Sequence, residues 1–487
     1  MVDIFVSDTE KAPVKGNWSS VELKEKTPST ENGSSKADGK DEKKNTLSDS
    51  RAIITLSKSM FNAGVFSLPY AWKCGGLWAT FVMSIVIGSL NYYSAFILVK
   101  SSQHIAKKVG REALNYGHFS KRICEMSDIK WLRNHSKLVM IIVDMTILLY
   151  QLGMCAVAIL FISENLTHLF GHLIGGEKHH QMIIFASITL STILVTNCFT
   201  NMRVIYFFAM VSTVFLAVGA AVIIQYTVRQ PNHWTELPPY TSFTEFLFMI
   251  GQLIYAFEGQ TMVLPVENKV RNHEAFLAPC GILTITFGIC SLFMQFLGFI
   301  GYTTYGAETG VTITENVPND GFYNTVTICL IMQSILGNGM AMYVIFDLFE
   351  NGFKTKFGKI FPRFPIKVAA KLFRIFFVFV TYLMVLIVPH LDIMCSLVGV
   401  TTGTLCALIY PPIFELICFW DDWKKADSPF CRSLKVIRNV AMVSLGIFFI
   451  VGGVYANTLE FIKAAKKDHL LDFVSATQSY NETLLLN

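Results

Sequence analysis

Past about residue 50 the chain alternates long apolar runs with short polar ones. A membrane-crossing helix needs about 20 mostly apolar residues at 1.5 Å per residue. Runs of that length fall at 51–74, 77–105, 136–166, 181–200, 203–227, 242–266, 275–303, 321–350, 367–388, 390–418 and 433–456. The pattern predicts an all-α integral membrane protein of eleven transmembrane helices. It also predicts a cytosolic N-terminal tail (1–47), a transmembrane domain (48–456) and a short extracellular or lumenal C-terminal tail (457–487). Residues 1–47 hold no apolar run and are rich in Ser, Thr, Lys, Asp and Glu. Such a segment buries too little surface to offset its ordering entropy, so disorder is expected there. No signal peptide is visible in it, so the first apolar helix is expected to direct insertion.

Composition narrows the class. Of 487 residues, 52% are hydrophobic and only 15% charged, against about a quarter charged in soluble chains. That excludes a soluble enzyme, a coiled coil and a disordered scaffold. The net charge of +5 is small and scattered, so the partner it implies is a lipid bilayer and not a nucleic acid. Lys and Arg crowd alternate loops: Lys107, Lys108, Arg111, Lys121 and Arg122 after the second span, Lys354 to Lys371 after the eighth, Lys424 to Lys435 after the tenth. The positive-inside rule then puts the N-terminus in the cytosol and the C-terminus outside. Lys463, Lys466 and Lys467 run against that bias. On this topology the sequons at Asn165 and Asn481 face the glycosylating side, while those at Asn17 and Asn32 stay bare. The eleven cysteines have no metal-ligand spacing and read as small apolar packing residues. No metal or cofactor is called for.

Two spans carry breaks. The first contains Phe61-Asn62-Ala63-Gly64 and then Leu68-Pro69; the sixth contains Tyr255-Ala256-Phe257-Glu258-Gly259 and then Leu264-Pro265. Gly and Pro both weaken a helix. Each span opens a block of five, and an odd block length inverts the second block against the first. Interrupted spans at matching positions mark the binding site of secondary transporters. Unwound backbone at membrane depth survives only against protein or a wet cavity. Half-helix N–H groups attract a carboxylate, and half-helix C=O groups attract an ammonium. A small amino acid suits that pair, with Phe61, Asn62, Ala63, Gly64, Tyr255, Phe257, Glu258 and Gly259 as the substrate-binding set.

The charged residues add roles. Glu258 lies deep in the sixth span, where an ionised carboxylate is costly unless paired or wet. It is assigned to proton coupling or ammonium recognition, a structural acid serving the broken backbone being the alternative. Lys58 either snorkels to the cytosol or sets its ammonium in a cation site of the fold. Tyr150 and Asn338 are assigned to the pathway, with Phe61 and Phe257 as possible aromatic gates.

These residues resemble the proton-assisted amino acid transporters of the amino acid/auxin permease superfamily. The match is strongest from Tyr255 to Gly259 and through Val263-Leu264-Pro265-Val266-Glu267-Asn268-Lys269; Gly64, Leu68, Pro69, Gln151-Leu152-Gly153 and Pro411-Pro412 support it. The resemblance implies a LeuT-like five-plus-five inverted repeat with broken helices 1 and 6, and proton-coupled symport of small neutral amino acids. The chain departs from the family at Ser59, Asn62 and Ser67, where glycines stand, and at Thr55, where proton-coupled members carry a histidine. Substrate choice and coupling through that histidine therefore do not carry over.

Other classes remain in view. A sodium-coupled or uncoupled transporter, and an amino acid sensor signalling through the tail, share the same site. An intramembrane enzyme needs a paired-Asp, Ser-Lys or HExxH arrangement, which the spans lack. A monomer is expected, in the plasma membrane, with a lysosomal or endosomal membrane as the alternative.

Overall fold

The structure is a computed structural model describing residues 47–485 apart from 111–114, 176–177, 200–201, 319 and 427, with only the backbone given at some helical positions. The tail 1–46 lies outside the described residues. Among those described, the secondary structure is helical but for one isolated backbone bridge, Leu47 to Val270.

The main helices are α1 (Asp49–Met60), α2 (Leu68–Gly75), α3 (Leu77–Val109), α4 (Tyr116–Met126), α5 (Ser136–Ile174), α6 (Lys178–Asn197), α7 (Met202–Arg229) and α8 (Phe243–Phe257). They continue with α9 (Gln260–Glu267), α10 (Ile282–Tyr305), α11 (Gly321–Ile360), α12 (Ile366–Ile387), α13 (Leu391–Val398), α14 (Tyr410–Ala426) and α15 (Pro429–Leu485). Among the described residues ten helical stretches are long and apolar enough to cross a membrane, counting α8–α9 and α13–α14 as one each. The first expected span is absent from that count because it is divided. α1 ends at Met60, a short 3-10 turn runs Ala63–Ser67, and α2 follows. No piece alone reaches bilayer length.

Local chemistry sets the ends. Ser242 and Glu245 form a reciprocal capping box at the start of α8. Pro69 sits in the first turn of α2, where its missing N–H costs nothing. Gly76 joins α2 to α3 at φ 86°, and an added Cβ would strike the Tyr240 backbone. Between α13 and α14 the backbone widens into π turns, Gly399–Gly403 and Leu405–Ile409. There Thr404 Oγ1 donates to Gly399 O at 3.0 Å, and Gly399 packs on the Gly251 backbone.

The helices pack in two groups. α1, α2 and α3 pack with α8, α9 and α10; α5, α6, α11 and α12 pack with one another. Of the 18 consecutive residues that carry the apolar signal, 94% are buried inside the protein in Phe243–Glu267 and 22% in Pro429–Lys467. So the divided α8–α9 pair is the axis of the molecule, and α15 is a peripheral helix with a lipid-type surface. α15 continues through residue 456 and runs on to Leu485.

Candidate functional site

The two helix interruptions face each other. α8 stops at Phe257 and α9 starts at Gln260, leaving Glu258 and Gly259 between them. Glu258 is 3% exposed, and its Oε1 accepts the Thr261 N–H at 3.1 Å. The carboxyl thus caps the start of α9, where a negative group is favoured. Gln260 folds back so that its Oε1 accepts the Gly259 N–H at 3.0 Å, while its amide nitrogen donates to Asn91 Oδ1 at 2.9 Å. In the first interruption Asn62 Oδ1 accepts the Gly64 N–H at 2.9 Å. Its amide nitrogen reaches Tyr255 O at 3.5 Å, joining one break to the other.

These contacts change the expected chemistry. Open N–H groups at the breaks were expected to draw a substrate carboxylate. The N–H groups of Gly64, Gly259 and Thr261 are instead taken by side chains of the breaks themselves.

A cavity of about 80 Å³ opens between the breaks and α5 and α11. Of the expected residues, Lys58, Phe61, Asn62, Ala63, Tyr150, Glu258, Gly259 and Asn338 line it. Gly64, Tyr255 and Phe257 do not. Gly64 packs on the Tyr255 ring so closely that an added Cβ would overlap it, and the Phe257 ring lies against Gly88. These three hold the breaks in place from behind. The Phe61 ring stands edge-on to Phe293 at 5.2 Å.

Lys58 is 7% exposed and lies on the last turn of α1. Among the described residues no carboxylate stands near its ammonium. Its Nζ and the Ser212 hydroxyl both face Gly337, and a methyl group added there would lie 3.4 Å from each. The Lys58 side chain thus ends inside the protein, against Gly337. The Tyr150 hydroxyl lies beside the Glu258 carboxyl without closing a hydrogen bond. Asn338 Oδ1 accepts from Asn197 at 3.3 Å, while its Nδ2 is buried without an acceptor among the described residues.

Several lining residues escaped the sequence reading. Gln151 donates to Thr261 Oγ1 at 3.2 Å, coupling α5 to α9. Met154, Gln333, Ser334 and Met340 complete much of the wall. Their one sequence signal is a polar residue inside an apolar run, which holds for Gln151, Gln333 and Ser334 but not for the methionines.

A second cavity of about 120 Å³ adjoins the first. Both are lined by Thr261, Met262 and Met340. Its far wall carries Leu47, Thr55, Asn268 and Lys269, at the N-terminal end of α1 and the C-terminal end of α9.

Asn165, expected as a glycan acceptor, is 1% exposed inside α5 and donates to Phe161 O at 2.7 Å. A packed amide of this kind leaves no room for a glycan, so in the folded protein it is a packing residue. Asn481 lies on the end of α15, where side chains are outside the described residues.

An all-helical, membrane-crossing bundle with a cavity at two helix interruptions that holds a buried lysine and a buried glutamate fits a class of membrane transport proteins. The chain belongs to the transmembrane amino acid transporter family, whose model matches residues 45–456, and it is a multi-pass membrane protein. It is 56% identical over 418 residues to "Probable amino acid transporter skat-1" of Caenorhabditis elegans, covering 86% of this chain and 91% of that protein. It is 24% identical over 426 residues to "Proton-coupled amino acid transporter-like protein pathetic" of Drosophila melanogaster, covering 85% and 86%.

Proposed function

We propose that the protein is a secondary active transporter of small neutral amino acids, driven by protons and working by alternating access at the breaks. The observation that carries this is the cavity: about 80 Å³, enclosed by both interruptions and lined by Lys58 and Glu258. At one water-sized sphere per 10–15 Å³, it holds about five to eight non-hydrogen atoms, the size of the smallest amino acids. The divided α1–α2 counts as an eleventh span, giving a LeuT-like five-plus-five arrangement with helices 1 and 6 broken.

Glu258 is the coupling residue in this reading. Its carboxyl holds the start of α9, so protonation weakens that cap and frees α9 to move. Proton binding and helix movement then share one atom pair. Lys58 places its amino group in the cavity, where it takes the place of a sodium ion. The second cavity is the cytosolic vestibule, with Met262 and Met340 between it and the substrate. The protein is placed in the plasma membrane as a monomer, with its N-terminus in the cytosol.

The test is substrate-evoked current and tracer uptake with a panel of neutral amino acids, in mildly acidic and neutral medium, with and without sodium. Uptake that grows with acid and ignores sodium supports the reading. Sodium-dependent uptake overturns the roles given to Glu258 and Lys58, and no uptake from the panel overturns the reading as a whole.

A further inference from the structure

The half-helix N–H groups of Gly64, Gly259 and Thr261 are already bonded to Asn62, Gln260 and Glu258. These three cannot meet the acid end of a substrate while those bonds stand, which turns attention to side-chain donors. Two lie on the α1–α11 side of the cavity. Lys58 Nζ faces Gly337 with no carboxylate nearby among the described residues. Asn338, the next residue, is 3% exposed and has an amide nitrogen without an acceptor. A buried charge and a buried amide each cost free energy until paired, and both are groups that a carboxylate pairs.

We propose that Lys58 and Asn338 form the carboxylate subsite of the cavity. This rests on the function proposed above and adds the orientation of the substrate. The carboxylate lies toward α1 and α11, and the ammonium lies toward Glu258 and Tyr150 on the opposite wall. Neutral side chains fill the remaining space. A compound with the carboxylate but no ammonium still engages Lys58, and one with the carboxylate masked as an amide does not.

The experiment measures alanine uptake in cells, with propionate and alaninamide as competing probes and surface abundance read by biotinylation. Wild type and Lys58→Arg are inhibited by propionate, and Lys58→Met is not. Loss of a charge-assisted hydrogen bond is worth about 10- to 100-fold. So the half-saturating alanine concentration rises by about tenfold or more in Lys58→Met, while the weak inhibition by alaninamide stays unchanged. Asn338→Ala, which keeps the lysine, shifts propionate in the same direction by a smaller factor. Propionate inhibition that persists in Lys58→Met overturns the subsite, and so does an equal loss of alanine and alaninamide recognition. If Lys58→Met does not reach the surface, Asn338→Ala decides: unchanged propionate inhibition there overturns the proposal. Wild type that takes up no neutral amino acid fails at the earlier step and takes this inference with it.

Discussion

The side-chain amide of Asn62 donates to Tyr255 O at 3.5 Å while its carbonyl accepts the Gly64 N–H at 2.9 Å. One side chain thus closes the first interruption and fastens it to the second. Asn62→Ala strands a buried N–H and loosens the crossing. Its expected cost is about 1–2 kcal/mol, seen as a lower melting temperature of the detergent-solubilised protein by tryptophan fluorescence. An unchanged melting curve would mean that the bridge contributes nothing.

Glu258 separates two roles by substitution. A glutamine at 258 mimics the protonated carboxyl: it keeps an oxygen to accept the Thr261 N–H but lacks the charge, so the protein still folds and surface abundance is expected to match wild type. It takes up no proton, so uptake and its stimulation by acid are expected to vanish. Glu258→Ala also loses the cap, at about 0.5–2 kcal/mol, and is expected to express less well. Normal acid-stimulated uptake by Glu258→Gln removes the coupling role.

Gly64 is a steric requirement. A Cβ there overlaps the Tyr255 ring, and that ring is 1% exposed with nowhere to go. Gly64→Ala is expected to lose most uptake. Adding Tyr255→Leu, which removes the ring edge, is expected to restore surface expression relative to the single variant. Equal expression of the two variants would assign the defect to something other than this clash.

Outside the site, Arg374 Nη2 and Nε bond Glu350 Oε2 at 2.7 and 3.0 Å, both residues being nearly buried, and Lys354 holds Glu350 Oε1 at 2.6 Å. Arg374→Met leaves part of the buried carboxylate uncompensated, with an expected cost of about 3–5 kcal/mol. The double change Glu350→Gln with Arg374→Met is expected to recover much of that loss, measured as folded protein by size-exclusion chromatography. No recovery in the double variant would count against an electrostatic origin.

Met262 and Met340 line both cavities. A cysteine at 340, in a background where Cys198, Cys280 and Cys431 are replaced, is expected to react with a membrane-impermeant thiol reagent applied from the cytosol. Transported alanine is expected to slow that reaction. Labelling from outside alone would reverse the orientation read from the loop charges.

The long apolar helices were legible from their runs of bilayer length, and the ends of α1 and α8 near Gly64 and Gly259 because a Gly followed by Leu-Pro weakens a helix wherever it packs. Depth in the spans also singled out Glu258 and Lys58, and both line the cavity. The contacts made by Asn62 were not, because only the crossing of two helices brings Tyr255 O within its reach. The same holds for the wall residues Met154, Met340 and Gln333. They lie on α5 and α11, long apolar helices whose inward face is set by packing against α7, α6 and α12. Tyr255 and Phe257 looked like lining residues from their neighbours in sequence, yet their rings turn toward Gly64 and Gly88. Asn165 followed a sequon rule that knows nothing of burial.

Leu47 exchanges two backbone hydrogen bonds with the stretch just beyond α9, its N–H to Lys269 O at 2.7 Å and its carbonyl to Arg271 N–H at 3.3 Å. The chain is therefore clasped at the foot of the half-helix that Glu258 caps at its head. α9 spans only eight residues, about 12 Å at the helical rise. A pull on the N-terminal arm reaches the broken helix through a rigid rod of that length. Under the proposed function, the residues before Leu47 thus have a mechanical handle on the substrate site.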